Sequence, residues 1–388
     1  MSRRLLPMLL ASTLLSLAWP ARTQADEIDQ QLAVIAQVGP QGAGSTAARA
    51  ACDVLSTCGA DIVPRLLAAM ETTNPVAANW YRTAYEAVIE RELAKARHQF
   101  PLEDLQAFVR DPERVGRVRR LALALCDRLE KDYSKRLIPR LLDDPEFRAD
   151  AVDAALAAGQ QALENGDSET ARVAFRQAFE HARDGTQTTR AAGKLAGLGD
   201  KVDIAEHLGL VVDWWLVGPF DAPRFSGFAR EFPPQQRVEL QAEYAGQEGR
   251  SIAWTRHRTA DPLGELNLAL ALGPATEAVA YAYTELVSPR EQAAQIRCGA
   301  DDNCTVWLND QKVFSREQWL NGSRFDRFVS PVQLRRGGNR LLVKICQGPQ
   351  HKDPQVSNNW SLQMRFCDES GAGLRLRSRA AELSGAAR

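Results

Sequence analysis

Residues Cys298–Val313 read CGADDNCTVWLNDQKV. Within them, Cys304–Leu308 is a short β-branched and aromatic run. The pair Asn309-Asp310 follows it where a two-residue hairpin loop must pass through left-handed backbone, which Asn and Asp tolerate. Runs of similar texture recur at Ala278–Glu285, Ala293–Cys298, Leu341–Cys346 and Ser361–Phe366, divided by Gly, Asn, Asp and Pro. Arg336-Gly337-Gly338-Asn339 is a further turn. Six of the eight Trp lie at 214 or later: Trp214, Trp215, Trp254, Trp307, Trp319 and Trp360. Many short strands joined by such turns predict an antiparallel β-sandwich over residues 211–370.

Before Gly209 the period is helical. Apolar residues recur at helical spacing in Ile28–Val38, Ala60–Met70, Arg114–Leu129, Leu137–Leu142 and Thr170–Ala182. Leu129-Glu130 reads as a helix end, and Asn165-Gly166-Asp167-Ser168 as a helix start capped by Ser168. The hexamer Ile62-Val63-Pro64-Arg65-Leu66-Leu67 is echoed by Leu137-Ile138-Pro139-Arg140-Leu141-Leu142, with Phe100-Pro101-Leu102 between. Prolines 64, 101 and 139 suit first helical turns, and Asn74-Pro75, Asp111-Pro112 and Asp144-Pro145 suit the connections. A recurring period of this size in a helical segment predicts stacked hairpins. The fold class is therefore multidomain, α then β.

The helical segment, over roughly residues 44–185, resembles HEAT repeats. Pro64-Arg65-Leu66-Leu67 and Pro139-Arg140-Leu141-Leu142-Asp143-Asp144-Pro145 carry the likeness. It implies an α-solenoid over 26–205, although Ala155–Ala182 reads equally as a tetratricopeptide-like hairpin. Either stack buries its apolar faces against neighbouring repeats and leaves one surface to bind or merely to space.

The second half resembles galactose-binding-like jelly rolls, such as the sugar-binding domain of family-two glycoside hydrolases. The carriers are Trp215-Leu216-Val217-Gly218-Pro219-Phe220 with Phe232-Pro233-Pro234, then Cys298–Val313, then Val332–Lys344. Asp310 stands where that family usually has Gly, a change the turn accepts. No catalytic barrel follows, so the resemblance implies the sandwich without the hydrolase's chemistry.

Of 388 residues, 48 are Lys or Arg and 49 Asp or Glu. Split near 205, the first part has 26 bases and 28 acids (net −2) and the second 22 and 21 (net +1). Neither half has the basic excess of a nucleic-acid or polybasic membrane binder. Residues 1–25 read as a secretory signal: Arg3 and Arg4, then apolar Leu5–Trp19, then Thr23-Gln24-Ala25 before Asp26. That predicts a periplasmic or secreted protein with no membrane span after cleavage. Residues 371–388 read as a loose tail.

An oxidising compartment permits disulfides among the seven cysteines. Two pairs are candidates, Cys298 with Cys304 across a hairpin and Cys346 with Cys367 at the ends of successive strands, and Cys126 is the odd thiol. Asp301 and Asp302 offer hard oxygen ligands suited to calcium; short carboxylates that accept backbone N–H and hold the turn are the expected alternative. Trp307, Trp319 and Trp360, with Asn309, are ligand-binding candidates, since Trp stacks on a sugar face; burial in a core is the expected reading of large aromatics at strand spacing. Trp214 and Trp215 are expected to pack the junction between the halves.

The five histidines include no helical His-x-x-x-His and each is expected at the surface; Ser323 lacks a nucleophile-elbow setting. No phosphate-binding loop and no supported carboxylate pair for glycoside hydrolysis is present. The predicted function is a non-catalytic exported scaffold that recognises a glycan or a protein of the cell envelope, with no cofactor unless calcium. The alternatives are a purely structural assembly component and a carbohydrate-acting enzyme with an unrecognised site.

Overall fold

The computed structural model describes residues 24–319, 322–353, 355 and 358–380. The signal reading of residues 1–25, apart from Gln24 and Ala25, lies outside the described residues, as does the tail beyond Ala380. Helices are followed by antiparallel sheets, and the chain forms two compact units, one ending at Ser134 and the other beginning at Lys135.

The first unit holds α1 (Gln24–Ala36), α2 (Ser45–Ser56), α3 (Val63–Ala69), α4 (Pro75–Leu93), α5 (Leu102–Arg110) and α6 (Gly116–Leu129). In α2 the buried residues are Ala48, Ala51, Cys52 and Leu55, the i, i+3, i+4, i+7 stripe of a half-buried helix. Asn74 caps α4, its side-chain oxygen accepting from Val76 N at 3.0 Å, and Pro75 fills the first turn, where a missing N–H costs nothing. Helix α6 ends at Leu129 as the sequence suggests. The chain passes between units within α7 (Tyr133–Leu137).

The echo of Pro64 at Pro139 does not start a second helix. Ile138–Arg140 is a single tight turn after α7, and residues 141–147 are irregular. The second unit continues with α8 (Arg148–Glu164), α9 (Ser168–His181), α10 (Gly185–Gly197) and α11 (Ile204–Leu208). Asp167, not Ser168, caps α9, accepting from Thr170 N at 3.0 Å and Thr170 Oγ1 at 2.6 Å. Gly166 (φ +80°) closes α8, so Asp167 is the first residue placed to cap α9. His207 is half-buried: its ring lies 4.4 Å from Phe179, and burial holds its pKa below the ordinary value.

The strands are β1 (Asp213–Asp221), β2 (Glu243–Ala245), β3 (Ser251–Ala253), β4 (Thr255–Arg258), β5 (Leu266–Asn267), β6 (Ala278–Ser288) and β7 (Gln292–Ala300). They continue with β8 (Cys304–Leu308), β9 (Gln311–Arg316), β10 (Phe328–Leu334), β11 (Gly337–Gln347), β12 (Ser361–Cys367) and β13 (Arg377–Ser378). One sheet runs β4-β1-β6-β11-β8-β9 with β13 added to β6, a second runs β10-β7-β12-β5, and β2 and β3 pair by themselves. Short helices α12 (Pro233–Gln236) and α13 (Leu268–Leu272) interrupt the strands. The β8–β9 turn has Asn309 and Asp310 both left-handed (φ +52° and +69°), as their residue types imply.

Parity along the strands defines the core. Trp214 and Leu216 of β1, Ala278, Ala280 and Ala282 of β6, and Leu341, Val343 and Ile345 of β11 face the second sheet. That sheet answers with Ile296 and Cys298 of β7 and Leu362, Met364 and Phe366 of β12. Their neighbours Trp215, Val217, Tyr281, Tyr283, Leu342 and Cys346 form a separate apolar layer on the outer face of the larger sheet. Trp214 and Trp215 therefore fill two β layers and do not pack the helical junction. Trp214 Nε1 donates to Val211 O (3.1 Å) and Trp215 Nε1 to Ala380 O (3.0 Å).

The second bond corrects the loose-tail reading as far as Ala380. Residues 377–378 pair with Val287 and Leu286, and Ala380 is fully buried. The helices meet the smaller sheet at Gly209, which is left-handed (φ +69°) and so close to β12 that a Cβ would lie 2.2 Å from Phe366 O.

Candidate functional site

An aromatic groove in the outer layer collects residues selected from the sequence. Across the larger sheet, Trp215 is opposite Tyr283, Tyr283 opposite Leu342, and Leu342 opposite Trp307. These four side chains make a stripe across β1, β6, β11 and β8. The long excursion between β1 and β5 folds over its first half, with Phe232 and Trp254 buried and the Trp254 ring 6.3 Å from Tyr283.

Lys344, in the next row, holds that cover down. Its Nζ donates to Phe228 O (3.0 Å) and Arg230 O (2.6 Å) and sits 5.6 Å from the Phe232 ring. Loss of water around the ammonium lowers its pKa.

Beyond the cover the stripe is open. A cavity of about 490 Å³ has Tyr283, Leu342 and Trp307 for its floor and Pro234–Val238 for one wall. Trp307 is half-buried there. The rim carries Asp310 and Arg340, which are ion-paired. The Tyr283 hydroxyl donates to Glu285 Oε1 at 3.0 Å, and burial and this carboxylate push its pKa up. Gln235 Oε1 accepts from the Tyr281 hydroxyl at 3.1 Å, so the wall is anchored to the sheet. The volume is that of a small-ligand site, with an aromatic floor and polar groups along one side.

Of the other residues selected from sequence, Trp319 packs edge-on against Phe225 (4.8 Å) and donates to Glu317 Oε1 at 3.0 Å, on the same face but beyond the Cys346 row. Trp360 is 1 % exposed inside the core, so it cannot meet a ligand in solution without unfolding. Asn309 is occupied by the neighbouring turn: its Nδ2 donates to Asn339 Oδ1 (3.0 Å) and its Oδ1 accepts from Arg340 N (3.0 Å).

Asp301 and Asp302 are both buried, with different roles. Asp302 Oδ2 accepts from Gly348 N at 2.6 Å, which ties two loops together. Asp301 keeps one carboxylate oxygen buried without a hydrogen-bond partner, and burial, with Asp302 beside it, pushes its pKa up to about 6. Among the described residues, no cluster of three or more His, Cys, Asp or Glu is placed to hold a metal ion.

The cysteine pairs fare differently. Cys346 lies in the outer layer and Cys367 at the end of β12 in the other sheet, so these two do not meet. Cys298 and Cys304 do meet, but not in a hairpin, because β7 and β8 belong to different sheets.

Sequence reasoning selected Trp307 and missed Tyr283, Arg340 and Gln235. Only the cross-strand register brings those residues beside it.

No protein-family model and no curated protein matches the chain. Several solved structures resemble part of it. A β-glucosidase from Kluyveromyces marxianus is 10% identical over 40% of this chain and 16% of its own, with a TM-score of 0.25. A glycosyl hydrolase family 2 member from Bacteroides cellulosilyticus is 10% identical over 41% of this chain and 20% of its own, TM-score 0.25. A family 2 β-galacturonidase from Eisenbergiella tayi is 9% identical over 40% and 25%, TM-score 0.24. The chain thus spans a quarter or less of each of these proteins.

Proposed function

We propose that this protein binds carbohydrate without transforming it, holding a sugar against Trp307 in the groove of the larger sheet. The supporting observation is the pairing of an aromatic floor with a rim of planar polar groups, Arg340 and Asp310, in one cavity of about 490 Å³. A sugar ring presents a C–H face that stacks on indole and hydroxyls that bond amides, guanidinium and carboxylate. Most glycoside hydrolases use two carboxyl groups across one bond. Among the described residues lining the groove, Asp310 is the single carboxylate, and it is paired with Arg340. That favours recognition over catalysis.

In this reading the protein is exported through its Arg3-Arg4 and Leu5–Trp19 leader to the periplasm or the medium. Its helical hairpins are HEAT-like, and its jelly-roll sandwich meets a glycan, or a glycan-bearing protein, of the envelope. A glycan array followed by calorimetric titration of the best ligand tests it. Trp307→Ala is expected to weaken binding at least tenfold, about 1.4 kcal/mol, with Trp319→Ala unchanged because that ring lies outside the groove. An array silent in every sugar class, or equal binding by Trp307→Ala, overturns the reading and leaves assembly as the role.

A further inference from the structure

We propose that Cys298 and Cys304 are joined, in the mature protein, by a disulfide that staples the two sheets through the core. The proposal is independent of the sugar groove. Cys298 lies in β7, between Phe328 of β10 and Met364 of β12. Cys304 opens β8 beside Ile345 of β11. Both are 1 % exposed and both point into the same apolar layer, from opposite sides. Their thiols interact directly, side chain to side chain, across that layer.

The segment between them explains why two sheets come so close here. Ala300 ends β7, and residues 301–303 cross from one sheet to the other. Gly299 lies under the backbone of Arg324, where a Cβ would sit 2.0 Å from its carbonyl oxygen. Asp302 and Asn303 are buried and bonded: Gly348 N donates to Asp302 and Gln318 N to Asn303. The crossing is therefore fixed from both sides. A pair of opposed cysteines in a fixed crossing needs only a short closure to reach S–S bonding distance.

In this structure both residues carry thiols. Joining them removes two electrons and two protons, which pass to a disulfide-type oxidant, glutathione disulfide or an oxidoreductase disulfide. The oxidant's S–S bond becomes two thiols, through one mixed disulfide on the way. The pair is sealed and the Cys304 thiol is held protonated, whereas the attacking species is a thiolate. Oxidation therefore precedes closure of the core, and the folded dithiol form, once made, oxidises slowly.

The full chain is refolded from denaturant in a glutathione redox buffer, then unfolded and alkylated. Five of seven cysteines are expected to be modified, with the missing two recovered as a linked peptide pair containing Cys298 and Cys304. A Cys346→Ala/Cys367→Ala variant keeps the chain foldable at the critical pair and is expected to show three modified cysteines of five. Adding dithiothreitol after folding is expected to lower the denaturant midpoint only in chains that carry the bond. Seven modified cysteines, a linked peptide of any other composition, or loss of the bond in the Cys346→Ala/Cys367→Ala variant overturns the proposal.

Discussion

Arg365→Ala is expected to lower the unfolding free energy of the unit beginning at Lys135 by about 3–5 kcal/mol, the cost typical of breaking a buried ion pair from one side. Arg365 is fully buried within β12. Its Nε donates to Asp326 Oδ1 at 2.7 Å and its Nη2 to the second oxygen of the same carboxylate, a two-pronged pairing. The remaining N–H groups reach Leu208 O (3.2 Å), Gly371 O (2.9 Å) and Arg183 O (3.1 Å). One planar guanidinium thus joins the smaller sheet to the ends of α9 and α11 and to the segment after β12. Alanine leaves three carbonyls and part of a carboxylate without their donor in a buried place. Arg365→Lys keeps the charge but lacks the planar fork, and falls between the two. Guanidinium unfolding followed by tryptophan fluorescence measures this, and a loss below 1 kcal/mol for Arg365→Ala shows that the guanidinium is no rivet.

The second large effect is a gain. Asp301→Asn is expected to stabilise the protein near pH 7.5 by about 1–3 kcal/mol and to do nothing near pH 4. The Asp301 carboxyl titrates near 6 when folded against an ordinary 3.8. A raised acid pKa means that the folded chain binds the proton more tightly than the unfolded one. The contribution of this carboxyl to stability is then largest below about pH 4 and is lost as pH rises through 6, by at most about 1.4 kcal/mol for each pH unit separating the folded from the unfolded pKa. Residual water at the turn reduces that ceiling. Asparagine keeps an oxygen for the Gly322 N–H that Asp301 accepts and never charges. Unfolding curves for both chains from pH 4 to 8 give the gap directly. Asp301→Asn less stable at every pH shows that the charge is needed there, and rescue of the wild type by added calcium identifies the cation that needs it.

Strands β6, β7, β8, β11 and β12 were readable because their bounding turns are chemical statements. Asn309-Asp310 tolerates left-handed backbone, which a two-residue hairpin loop needs at both positions. The faces were harder. Strand β6, AVAYAYTELVS, is buried along nearly its whole length, so hydropathy does not alternate and parity is hidden. Trp307 and Trp360 looked alike from composition; the first stands in β8 over an open groove and the second, just before β12, is in the core. Arg365 shows nothing of its role between Met364 and Phe366, because two of its carbonyl partners, Arg183 and Leu208, lie more than 150 residues earlier in the chain. The Cys298–Cys304 spacing suggested a hairpin, yet five residues also suffice to step from one sheet to the next. Asp167 and Ser168 are both good caps; the Gly166 turn decided between them.

The carbonyls of Arg183 and Leu208 that Arg365 collects also set where this chain can be divided. A cut at Val211, where the amino-acid texture changes, orphans that guanidinium and discards the surface it was built to meet. A cut at Lys135 carries both along. Grafting or shuffling of this architecture therefore moves α8 to α11 and the sheets after them as a single heritable block.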